Sequence, residues 1–204
     1  MSQTLPEILR FLILVPHRDT VKLLREYRRR LFGAVFPGAF SFPIVVPLAL
    51  LSRPCTGEEL KGIARTLRQT TLTGEGRGKI AGGALRALPF PHEGGGRFLS
   101  DCSFFGPALD LPMPELLLPG LLYPFPAAVL VAALVEGEGA EFGEKAPPLG
   151  AFSFRTAAAA NMVIRPLVEQ PDGRTTNDRG AVRADPYSLE WKIGRLSWLP
   201  AGRG

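Results

Sequence analysis

Histidine and cysteine are scarce in these 204 residues, with two of each. Two cysteines, Cys55 and Cys102, cannot build a disulfide scaffold, which needs several bridges to replace a core. Two histidines, with no Cys/His pair at zinc spacing, leave no multi-histidine metal centre to expect. Charge is sparse as well: 21% of residues are charged against 46% hydrophobic. So apolar a chain collapses in water, which excludes intrinsic disorder. Of the 24 basic residues, only Lys22, Lys61, Lys79, Lys145 and Lys192 are lysine. With 23 Gly and 20 Pro, the arginine excess reads as a general compositional bias rather than a ligand signature. The net charge is +5, and the length fits a single domain, residues 1–204, with its own core.

Uninterrupted apolar helices are lacking too. Leu31–Ser52 and Leu116–Val135 carry no charge, and each reaches the roughly 20 residues that span a bilayer. Each also holds three prolines: Pro37, Pro43 and Pro47, then Pro119, Pro124 and Pro126. Such breaks would strand amides and carbonyls in hydrocarbon, so both runs are expected to be loop-plus-strand segments of a soluble domain. The amino terminus lacks a basic region followed by an apolar stretch, so no signal peptide is expected. The expected location is the cytoplasm, with both thiols reduced.

What is present is a succession of periodic segments. Phe11–Val15 is a continuous apolar run ended by Pro16, the pattern of a strand buried on both faces. Thr20, Leu24, Tyr27 and Leu31 then recur at helical spacing, with Lys22, Arg25, Arg28 and Arg29 largely on the wet side. Ile44–Leu51 predicts a second strand with Pro47 at a bulge or edge. Thr56 and Glu59 have capping-box spacing, followed by Leu60, Ile63, Ala64 and Leu67 on one helical face. Beyond the second helix the chain predicts strands around Lys79–Leu88, Arg97–Phe105, Ala127–Val135, Phe152–Leu167 and Tyr187–Leu199. A helical turn within Pro112–Pro119, an acidic loop at Glu136–Pro148 and a polar connection at Asp172–Asp185 complete the pattern. Strand, helix, strand, helix and then mostly strands is α+β.

Chemical motifs are few. Gly74–Lys79 lacks the spacing and the Ser/Thr of a phosphate loop and opens no helix, so it reads as a flexible turn. His17 follows a buried strand and enters a helix; His92 lies in a Gly-rich loop. Neither has a nucleophile placed beside it by sequence. Cys102 reads as a small buried hydrophobe. Cys55 precedes a helix N-terminus, where the dipole can lower a thiol pKa. Arg28–Arg30 with Arg25 is the densest basic patch, read as a solvated helix face without interleaved aromatics.

The order strand, helix, Phe-Pro-containing strand, capped helix, strands and a second Phe-Pro-containing strand resembles the 2H phosphoesterases, the 2′-5′ RNA ligase-like superfamily. That resemblance implies two pseudo-symmetric lobes, about 1–110 and 111–204 with exchanged strands, built of antiparallel sheets with helices outside. It also implies a His-x-Thr/Ser motif in each lobe, one within Ser41–Val46 and one within Phe125–Val129. Ile44 and Val46 stand at the first motif and Ala127 and Val129 at the second, lining the cleft. Ile and Ala transfer no proton. The resemblance therefore implies a domain without the family's phosphodiesterase activity and with no catalytic residue at these positions, no cofactor and no metal. Its role is then binding or interaction, with weak nucleotide or RNA binding through arginines such as Arg155 or Arg165. The alternative is an enzyme holding an anionic, nucleotide- or RNA-like substrate through residues outside the motifs. Membrane association through the two proline-rich runs is a third option.

Overall fold

A computed structural model describes residues 9–34, 43–71, 79–80, 85–89, 102–109, 117–136, 149, 152–154, 156–166, 182–185 and 188–193. In chain order these form β1 (Leu9–Pro16), α1 (Arg18–Ala34), β2 (Val46–Leu51), α2 (Gly57–Thr71), β3 (Lys79–Ile80), β4 (Leu85–Pro89) and β5 (Cys102–Leu109). They continue as β6 (Leu121–Pro124), β7 (Ala128–Val129), β8 (Ala133–Glu136), β9 (Phe152–Ser153), β10 (Thr156–Pro166), β11 (Val182–Asp185) and β12 (Ser188–Ile193). The class is α+β. Six strands lie in the order β11-β12-β10-β1-β2-β6, β5 joins β4, β7 and β8, and β3 pairs with β9.

Two departures from the sequence expectations have local causes. The polar connection ending at Asp185 includes β11, and a further strand, β6, precedes the second Phe-Pro segment. The sheets are not wholly antiparallel either, because β10 and β12 run parallel. β11 lies antiparallel to β12 and outside it, so β12 is inserted between β10 and β11 and takes the direction of β10. The tight β11–β12 return at Asp185 and Ser188 fixes that direction.

β1 is the centre of the larger sheet, flanked by β10 and β2. Phe11, Leu12, Ile13 and Leu14 are all at most 1% exposed. Leu12 and Leu14 pack with Leu24 and Tyr27 of α1 and Leu60, Ile63 and Leu67 of α2. Leu9, Phe11 and Ile13 pack on the opposite face with Phe104, Phe125, Val129, Val131, Met162 and Ile164. Thr20, Leu24 and Tyr27 of α1 and Leu60, Ile63 and Leu67 of α2 are buried as the spacing predicts, while the side chain of Leu31 lies outside the described residues, and one correction applies. Arg28 is buried at 6% exposure, because it lies four residues after Leu24 on the flank of the apolar stripe. Burial, with Arg25 nearby, pushes its guanidinium pKa down to about 10.

Pro47 sits where the expected bulge occurs. Leu12 pairs with Ala49 and Ile13 with Pro47, so Leu48 is the extra residue. Leu48 and Ala49 consequently both join the helix-side core, although they are consecutive.

Residues 121–136 join the two groups of strands. Phe125 and Val131 donate their amides to the carbonyls of Leu48 and Val45 beside β2. Leu130 and Ala132 donate theirs to Pro107 and Phe105 of β5. The seam thus ties the β5 group to the larger sheet through backbone hydrogen bonds, and side chains of the two pack together, with the Phe11 and Phe104 rings 5.6 Å apart. β6 is entered through Leu118–Leu121, where the Leu121 amide bonds the Leu118 carbonyl and Gly120 has φ 86°. Pro119 and Gly120 thereby occupy the second and third positions of a type II turn.

Gly106 faces the seam so closely that a Cβ would overlap the Leu130 carbonyl oxygen and lie 2.9 Å from the Ala132 nitrogen. Both neighbours are backbone and cannot rotate away. Gly62, on the exposed side of α2, has nothing within 4 Å of an added Cβ. Gly106→Ala is expected to lower the urea midpoint by an amount equivalent to at least about 1–3 kcal/mol. Gly62→Ala should raise it by roughly 0.5–1 kcal/mol. Equal effects from the two would show that the seam yields more readily than this packing implies.

Candidate functional site

Three places in the fold carry the residues that sequence singles out. The first is the inner face, where the larger sheet packs against the β5 group. Phe11 stacks on Phe125 at 6.2 Å, while Phe104 meets Phe11 at 5.6 Å and Phe125 at 5.8 Å, both edge to face. Tyr123 approaches Phe125 edge to face at 5.5 Å. These separations are those of attractive aromatic pairs. Val45, Val129 and Val131 complete the surface, the last two fully buried.

The four motif positions do not converge on this face. Val129 is part of it, but Val46 points into the helix-side core and Ile44 packs partly buried against that same core. Ala127 is half-buried in the bend between Phe125 and β7 and belongs to neither cluster. On the first Phe-Pro segment the inward residue is Val45, one position away from either candidate. Ile44, Val45 and Val46 are all apolar and β-branched, so no alternation existed from which to choose the face. Chemically, the half-buried Tyr123 supplies the one hydroxyl among the described side chains of the inner face, and the others are apolar. Buried polar or charged residues among those described are Thr20, Arg28, Ser103 and Asn161, none of which belongs to the inner cluster.

The second place is the carboxyl end of β1. His17 closes the strand and caps α1: its carbonyl accepts the Val21 amide at 3.1 Å, and its Nδ1 accepts the Asp19 amide at 3.4 Å. Nδ1 also lies 3.1 Å from Asp19 Oδ2, and Arg18 Nε lies 3.9 Å from Asp19 Oδ1. The imidazole is one-third exposed. A His–Asp contact can orient a base, but this one is equally explained by capping. No group of three or more His, Cys, Asp and Glu capable of holding a metal occurs among the described residues.

The third place is the entry to α2. Thr56 and Glu59 form the expected box: the Thr56 amide donates to Glu59 Oε2 at 2.7 Å, and the Glu59 amide donates to Thr56 Oγ1 at 3.3 Å. Sequence spacing did not point to Arg53, which grips Glu59 with both nitrogens, Nη2 to Oε1 at 2.7 Å and Nη1 to Oε2 at 3.0 Å. Those bonds, Arg53 first and Thr56 second, hold the Glu59 carboxyl down at about 2. Asn161 of β10 reaches across to Cys55, accepting its amide at 2.8 Å and donating to its carbonyl at 2.9 Å. The Asn161 amide thus mimics a strand partner for a buried loop residue. Cys55 itself is 7% exposed, and burial followed by the Glu59 charge pushes its thiol up to about 11. Any lowering by the helix dipole is overcome, so the thiol is structural.

His92, Arg155 and most of Gly74–Lys79 lie outside the described residues, as do the side chains of Cys102 and Arg165. No helix among the described residues is long and apolar enough to cross a membrane. The described parts of the two uncharged runs include α1, β2, β6, β7 and β8. Comparison with family models, curated proteins and solved structures finds no match.

Two expectations follow from the α2 entry. At pH 8 a thiol at about 11 holds about a hundredfold less thiolate than one at the ordinary 9.0. In a Cys102→Ala variant, folded protein should therefore react with DTNB at least about a hundredfold more slowly than urea-unfolded protein. Equal rates would place Cys55 at the surface. For Glu59 the folded pKa lies below the ordinary 4.5, so its stabilisation is complete above 4.5 and is lost as pH falls through about 2. The difference in urea midpoint between wild type and Glu59→Gln should be constant from pH 7 to 5 and shrink towards pH 2. A difference that persists unchanged at pH 2 would rule out the ion pair as its source.

Proposed function

We propose that this chain is a 2H phosphoesterase-like domain whose catalytic cleft has been replaced by packed apolar side chains, and that it acts by binding rather than by catalysis. The observation that carries this is the interlocked Phe11–Phe104–Phe125 cluster, which fills the face on which Val129 of the second motif lies. Phe11 and Phe104 are fully buried and Phe125 is 2% exposed. Support also comes from the order of elements and from the capped second helix. The face is built of Phe and Val with Tyr123 at its side, and it holds no histidine and no carboxylate among the described residues.

The runner-up is an enzyme that handles an anionic substrate through residues outside the motifs. The His17–Asp19 contact is the observation in its favour. Purified protein incubated with 2′,3′-cyclic nucleotides and 2′-5′-linked oligonucleotides separates the two. Turnover should stay at background in wild type and in a His17→Ala, His92→Ala double variant alike. Turnover that the double variant abolishes would establish the runner-up.

A further inference from the structure

Arg18, Lys22, Arg25 and Arg29 of α1 are all exposed and recur at intervals of four, three and four residues. At about 100° and 1.5 Å per residue they fill a sector roughly 60° wide along about 16 Å of one helix face. The acidic residues of this helix, Asp19 and Glu26, fall outside that sector, although Asp19 lies 3.1 Å from His17 Nδ1 and 3.9 Å from Arg18 Nε at the start of the row. From Lys22 to Arg29 the row is uniformly positive, on a chain whose net charge is already +5.

A lipid surface is the poorer match for such a row. Membrane-surface helices bury an apolar face in the lipid, but Leu24 and Tyr27 of this helix are fully buried against the sheet. Among residues 18–30, Leu23 is the single exposed large hydrophobic side chain. Three of the four basic residues are arginine, whose planar fork bonds phosphate oxygens in pairs. No aromatic side chain interleaves the row, so bases find nothing to stack on. A duplex, with one charge per about 1.7 Å of axis, offers the densest line of phosphates. We propose that this row of α1 is a docking surface for the phosphate backbone of double-stranded nucleic acid, bound without base preference. It rests on α1 alone and stands whether or not the inner face descends from a phosphodiesterase cleft.

The test is fluorescence anisotropy of the full chain with a fluorescein-labelled mixed-sequence DNA duplex across NaCl concentrations. Four phosphate contacts give a log–log slope near about −3.6, hence about hundredfold weaker binding at 200 mM salt than at 50 mM. The triple variant Lys22→Gln, Arg25→Gln, Arg29→Gln should bind at least about tenfold more weakly at low salt and lose about one unit of slope per residue. The charge-matched variant Lys61→Gln, Arg65→Gln, Arg86→Gln, also confined to exposed positions, should keep the wild-type slope. All six changes are on the surface, and circular-dichroism melts should match wild type. Equal weakening by both triples would reduce the effect to net charge and overturn the proposal. So would salt-independent binding, or binding to phosphatidylserine vesicles without binding to the duplex.

Discussion

Four consecutive side chains of β1, Phe11 to Leu14, are removed from water on alternating faces of one strand. At about 1.5–3 kcal/mol each, their burial is comparable to the whole net stability of a domain. Because they alternate, neither face of the sheet can be left open. On the side of Leu12 and Leu14 the cover is α1 and α2. On the side of Phe11 and Ile13 the cover is the β5 group of strands, tied in by the seam at 121–136. Cover on both faces is the geometric answer to a strand that is apolar twice over.

That answer sets the chemistry of the interior. A polar side chain placed among Phe11, Phe104, Phe125 and Val129 would have no partner and no water, and an unpartnered polar group in such surroundings costs several kcal/mol. A histidine substituted there would therefore destabilise the domain. The polar chemistry of the molecule is instead found at helix entries, where backbone donors already require partners: His17 before α1, and Thr56, Glu59 and Arg53 around α2.

Much of this architecture was legible in the sequence. Continuous hydrophobicity marked β1, helical spacing marked both helices, and Thr56 with Glu59 fixed where α2 begins. Pro47 announced a bulge because it lacks an amide. What escaped were features that no periodicity announces. Arg53 closes on Glu59 across the bend at Ser52 and Arg53, and Asn161 meets Cys55 only because β10 is brought back beside β1. The inward residue of the first Phe-Pro segment was unreadable for a simpler reason: in Ile44-Val45-Val46 every position looks the same. The parallel β10–β12 pair was equally hidden, since direction there is set by a hairpin further along the chain.

The pairing of β1 with β10 joins Leu9 to Ile164 and Phe11 to Met162. The centre of the larger sheet therefore unites segments far apart in sequence. During synthesis β1 can pair with β2 soon after it emerges, but its other edge and much of its apolar surface must wait for β10. Closing so long a loop is entropically slow, and the waiting strand is exposed to mispairing meanwhile. The same double-sided hydrophobicity that anchors the finished sheet makes its first strand the most vulnerable part of the growing one.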